Sequence, residues 1–180
     1  NNAGGILIIF LPLFIFSVFL WVKNFSELYE WIRINRSYLL IEEAVFLLAF
    51  SLIIVFRLAN PNIAGTEKPM EMTFINGIVY SETFPPHDSW LAGYSISYYY
   101  FGYVMTMLIG RLAGVPAEVG FNLMLATVFA LAAAASYSLV NNLLSVARNN
   151  RFGKLKHFAG SFLAPIFLLI CSNLEGLLEV

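Results

Sequence analysis

Glu67 and Glu71 stand four positions apart, with Lys68 beside the first, just beyond a long apolar run. If that segment is helical, both carboxylates share one face. A carboxylate at the edge of lipid, partly desolvated and next to an ammonium, suits a general base or a divalent-metal ligand. The plainer reading is a solvated helix start, where acidic side chains favour the positive end of the helix dipole. His87 and Asp88 follow two prolines and precede Trp90. Asp88 suits a cap or a ligand contact and His87 a phosphate, against the plainer reading of a polar turn. Tyr98, Tyr99, Tyr100 and Tyr103 form either an aromatic belt at headgroup level or a platform for sugar rings or a prenyl chain. On a helix, Tyr99 and Tyr103 would share a face while Tyr98 and Tyr100 diverge. Asn173 and Glu175 close the final apolar run, and an ionisable group at that depth is a functional candidate by default.

The elements that must position these residues are apolar. The chain is 59% apolar and 12% charged, with a mean hydropathy of +0.77, whereas soluble domains carry about 25% charged residues. Runs over 5–22, 39–56, 96–113, 119–140 and 158–170 approach the roughly 20 residues that cross a bilayer. An all-α integral membrane protein follows. The first run has no basic flank before it and no small-residue cleavage site after it, so it reads as a span and not as a signal peptide. A net charge of −1 gives no support to nucleic-acid binding. One cysteine, Cys171, excludes an internal disulfide and reads as a small buried hydrophobe. His87 and His157 are the two histidines and are expected on opposite sides of the membrane, so a histidine metal centre has no support.

The chain opens on Asn and stops in "EGLLEV", and we read it as one membrane domain, 1–180, from a longer protein. Pro12 predicts a kink in the first span. "KNFSELYEWIRINRS" reads as a short amphipathic interface helix with Ser26 as its N-cap. "ANPNIAG" breaks the second span. Met70–Tyr80 has helical spacing at Met72, Ile75, Ile78 and Val79, "FPPHDSW" is an extended turn, and an apolar helix runs from Ile96 to about Ala113. The alanine-rich 119–140 suits close helix packing, and Asn122, Asn141 and Asn142 suit bonds between helices or mark span ends. No P-loop, GxGxxG, nucleophile elbow or haem signature is present.

Charge decides between two topologies. If all five runs cross, Lys and Arg divide six to four, with the motif loop on the richer side. If the helix at 96–113 lies along the interface, they divide seven to three, and the motif loop falls on the poorer, outer side. The second partition fits the positive-inside rule better. It gives about four spans, with interfacial helices in an outer loop at 59–117, and brings "SNLEG" to the same side as "GTEKPMEM".

"GTEKPMEM", "FPPHDSWLAGYSISYYYFGY", "GVPAEVGFNLMLATVFAL" and "SNLEG" together resemble the Chlor-Arch-YYY membrane protein family, over roughly residues 39–176. Glu71 and Glu175 stand where the family pattern has Asp. The order of elements is more distantly similar to the GT-C superfamily of polytopic glycosyltransferases. That resemblance implies a GT-C-like helical bundle in the cell membrane, with the motif loop facing out and a polyprenyl-phosphate-linked sugar as donor. It implies Glu67 at the first-loop acidic position, Glu71 as its close rival and Glu175 as the second acidic site. Lys68 or His87 would bind the lipid phosphate, while Asp88, Trp90, Tyr98, Tyr99, Tyr100 and Asn173 would line the substrate site. A divalent cation (Mg or Mn) held by Glu67 and Glu175 is compatible with it. The competing reading is a non-catalytic subunit that uses the same loop to bind other membrane proteins. A transporter would call for an internal repeat, and none is visible.

Overall fold

The computed structural model describes residues 3–65, 67–146 and 154–171. Among these the chain is helical, apart from loops and a single isolated bridge between His87 and Ser95. The helices are α1 (Ala3–Lys23), α2 (Phe25–Ala59), α3 (Lys68–Tyr80), α4 (Phe101–Leu112), α5 (Ala117–Val146) and α6 (Lys154–Leu169). Helices α1, α2 and α5 are long and apolar enough to cross a membrane. They contain three of the expected spans. The fourth expected span, 158–170, overlaps α6, whose 16 residues reach about 24 Å at 1.5 Å per residue, short of the roughly 30 Å hydrocarbon layer.

The structure corrects two of the expected elements. No separate interface helix covers 23–37, and Ser26 lies inside α2 instead of capping a helix. Asn24 N–H bonds to Leu20 O and Leu28 N–H to Asn24 O, both at 3.0 Å. Helical bonding therefore continues through the junction, since no Pro or Gly interrupts it before Asn60. The helix expected from Ile96 begins instead at Phe101. Its 12 residues extend about 18 Å, short of the roughly 30 Å hydrocarbon layer. Ile96 N–H bonds back to Pro86 O at 2.9 Å, which ties this strand-like stretch to the preceding loop. Tyr98, Tyr99 and Tyr100 thus precede α4, and Tyr99 shares no helical face with Tyr103.

The chain divides into two compact units. The first comprises 1–31 and 59–124. In it α3 and α4 pack on one another and α1 touches α4, around buried Phe74, Ile75, Ile78, Ile96, Met107 and Phe121. The buried face of α3 is centred on Phe74, Ile75 and Ile78, with Met72 and Val79 half-buried at its margins. The second comprises 32–58 and 125–180. Its core is Val45, Ala133 and Tyr137, with Tyr38, Ile41, Ala49, Phe162 and Leu169 packed around them. Ala126, Ala130, Ala133 and Ala134 are buried along one face of α5, as the small residues there predict. Polar contacts join its helices: Ser138 Oγ donates to Glu42 Oε1, and Ser161 Oγ donates to Asn141 Oδ1 at 3.3 Å.

Candidate functional site

The site is built in the first unit. Helix α2 stops at Ala59 because Pro61 disfavours helix at Asn60. Asn60 Oδ1 then accepts the Asn62 N–H at 3.3 Å, and the Asn122 amide donates to Pro61 O at 3.3 Å. Gly65 takes φ +78°, a conformation that favours glycine. Glu67 occupies the N-cap of α3 and makes no side-chain capping bond. Pro69 in the first turn has no N–H to satisfy there. Glu71 N–H bonds to Glu67 O at 3.0 Å, so the two acidic residues lie one turn apart at the positive end of the helix. Glu67 is exposed, and Glu71 and Lys68 are half-buried.

Phe74, one turn beyond Glu71, is the centre of an aromatic cluster. Its ring lies 5.3 Å from Tyr98 at 26°, 5.6 Å from Tyr103 and 6.1 Å from Trp90. Tyr98 meets Tyr99 edge-on at 5.5 Å. Phe74 is 5% exposed, while Trp90 and Tyr99 are 66% and 88% exposed. A buried ring thus carries an open aromatic surface. The Tyr103 hydroxyl donates to Glu71 Oε1 at 3.4 Å. Burial, and then the neighbouring Glu71 carboxylate, push the Tyr103 hydroxyl up to about 12, so it stays a donor at neutral pH. Phe74 escaped the sequence reading, although an aromatic three positions after an acidic residue on a helix shares its face.

The loop between α3 and α4 is held by its backbone. Ser81 N–H and Oγ both bond to Gly77 O, at 3.0 and 2.8 Å, and Ser81 Oγ accepts the His87 N–H at 2.8 Å. A Cβ on Gly77 would meet His87 O at 3.0 Å and Ser89 Oγ at 3.2 Å. Glycine there lets the loop lie directly on α3. Pro86 is fully buried and the His87 side chain is exposed. Asp88 Oδ1 accepts the N–H groups of Trp90 at 2.8 Å and Leu91 at 3.0 Å, so this carboxylate shapes the turn that presents Trp90.

At the other end of the α3–α4 pair, Arg111 Nη2 donates to Val79 O at 2.7 Å. This places a cation on the carbonyl end of α3. Beside it lies a cavity of about 190 Å³, lined mainly by apolar side chains of α3 and α4 and by the start of α5.

The structure therefore brings Glu67, Lys68, Glu71, Trp90 and Tyr98 into one region, with Tyr99 on its edge and Tyr100 as the N-cap of α4. Asn173 and Glu175 lie outside the described residues. Among the described residues no group of three His, Cys, Asp or Glu side chains could hold a metal ion. Glu67 and Glu71 alone offer two carboxylates, one of them already bonded to Tyr103. Glu175, the other expected metal ligand, is among the residues outside that description.

Among the described residues every named element is a helix, and three are long and apolar enough to cross a membrane, as in an all-helical membrane protein. The chain belongs to the uncharacterized membrane protein family DUF2298, whose model matches residues 1–180. No curated protein and no solved structure matches it.

Proposed function

We propose that this protein is a membrane glycosyltransferase that moves a sugar from a polyprenyl-phosphate donor to a hydroxyl acceptor at the outer membrane face. The observation that carries this reading is one juxtaposition. Two carboxylates, Glu67 and Glu71, stand at the start of a 13-residue helix, beside the open aromatic surface of Trp90, Tyr98 and Tyr99. Sugars stack their C–H faces on such rings, and carboxylates bind or deprotonate their hydroxyls. Helices of 13 and 12 residues cannot cross the hydrocarbon, so they suit the interface, where a lipid-linked sugar resides.

In the proposed reaction a carboxylate takes the proton of the acceptor hydroxyl. The acceptor oxygen forms a bond to the anomeric carbon, and the bond from that carbon to the phosphate oxygen breaks, its electron pair leaving with the lipid phosphate. Configuration at the anomeric carbon inverts. Lys68, half-buried at the first turn of α3, and the exposed His87 are the groups suited to the departing phosphate.

The test uses the full chain in proteoliposomes with a panel of undecaprenyl-phosphate-linked hexoses. Release of undecaprenyl phosphate by the wild type, with loss of at least about a hundredfold in Glu67→Gln or Glu71→Gln, supports the reading. No release from any donor, while Trp90→Ala abolishes co-purification of other membrane proteins, replaces it with the subunit reading.

A further inference from the structure

We propose that Tyr103 is a positioning residue that clamps Glu71, leaving Glu67 as the carboxylate that exchanges protons with an incoming hydroxyl. The division of roles rests on the transferase reading; the clamp itself does not. The two carboxylates are one turn apart on one helix face, yet their surroundings differ. Glu71 is half-buried and accepts the Tyr103 hydroxyl. Tyr103 is itself fixed by its ring contact with buried Phe74. Glu67 is exposed, and its side chain caps no backbone N–H.

A base must gain and lose a proton within each turnover. A carboxylate bonded by a donor on a packed ring is held in place, whereas the exposed Glu67 is free to meet an incoming hydroxyl and to pass its proton on to water. A carboxylate has a second oxygen, which suits Glu71 to accept a sugar hydroxyl's hydrogen bond without removing its proton. The titratable groups that act on Tyr103 are Glu71, Tyr98 and Glu67, with Lys68 next in sequence to Glu67. Tyr103 donates from a hydroxyl that stays protonated at neutral pH.

The closing experiment labels carboxyls of the intact chain in detergent with a water-soluble carbodiimide and glycine methyl ester, read by peptide mass spectrometry. In the wild type Glu67 labels readily and Glu71 slowly. In Tyr103→Phe, which keeps the ring on Phe74, Glu71 labelling rises about fivefold and Glu67 labelling is unchanged. Equal labelling of Glu67 and Glu71 in the wild type, or no change on Tyr103→Phe, overturns the clamp whether or not any sugar is transferred. Where transfer is measurable, Tyr103→Phe raises the donor KM and leaves the acidic limb of the kcat profile in place. An acidic limb that moves to higher pH makes Glu71 the base and overturns the assignment of Glu67. Loss of transfer from every donor, with the labelling pattern intact, fails the transferase reading alone.

Discussion

The Arg111 guanidinium bonds to the Val79 carbonyl at 2.7 Å across 32 positions of chain, the same separation that divides Tyr103 from Glu71. The two contacts lie eight residues apart on both helices. They hold α3 and α4 in parallel and in one register, with the acidic–aromatic site at one end and the helix-capping cation at the other. The connecting loop supports this register: it is bonded to α3 through Ser81 and to itself through Asp88 and Ile96.

Arg111 is expected to stabilise the first unit by capping α3. Arg111→Ala removes a charged donor from an orphan carbonyl and should cost about 2 kcal/mol, lowering the melting temperature in detergent. Arg111→Lys, which keeps the charge but not the planar fork, should recover part of the loss.

Tyr103 gives an alkaline signature. Its hydroxyl holds its proton to about 12 in the folded chain, against 10.0 unperturbed. Stability from the protonated form is therefore complete below pH 10, and is lost as pH rises through the window from 10 to about 12. The late-ionising part of the tyrosinate absorbance should shrink by one tyrosine in Tyr103→Phe, and the variant should melt with a flatter dependence on pH in that window.

Gly77→Ala should displace the loop, because the nearest atom to the new methyl is a backbone oxygen, His87 O at 3.0 Å, which a rotamer change cannot move. The expected cost is about 1–3 kcal/mol. Trp90 emission, read in a Trp21→Phe, Trp31→Phe background, should shift as the ring leaves Phe74.

In the second unit, Ser138→Ala removes the donor to Glu42 and leaves a half-buried carboxylate without that bond. A loss of about 1–3 kcal/mol is expected. A smaller loss is expected for Ser138→Ala in a Glu42→Gln background, since the amide carries no charge to strand. Thermal melts of the four proteins in a double-mutant cycle give the coupling.

Topology is tested with Cys171→Ser and single cysteines placed at Ser89 and Asn150, treated on intact cells with a membrane-impermeant thiol reagent. Labelling at Ser89 alone is expected for an outer motif loop with α4 at the interface. Equal behaviour of the two sites would put α4 across the membrane and remove the proposed site from the outer face.

The sequence by itself determined the elements whose cause is local. A bilayer-length apolar run becomes a helix because no water is available to its backbone, and α1, α5 and the 39–56 part of α2 follow from composition. The stop at Ala59 follows from Pro61, and the start of α3 near Met70 follows from Pro69 and the acidic first turn. Glu67 and Glu71 share a face because helical geometry puts residues four apart together. What the tertiary structure decided is where local rules compete with distant contacts. Residues 96–100 contain no Pro or Gly to bar a helix, yet Ile96 bonds to Pro86 and Tyr98 stacks on Phe74, and those contacts displace the helix start to Phe101. Ser26 has the side chain of an N-cap, but unbroken helical bonding through Asn24 leaves it no helix to begin. Phe74, Tyr103 and Arg111 acquire their roles from partners up to 32 residues away. No periodicity within either helix encodes which residue of the other will face it; packing in three dimensions sets that register.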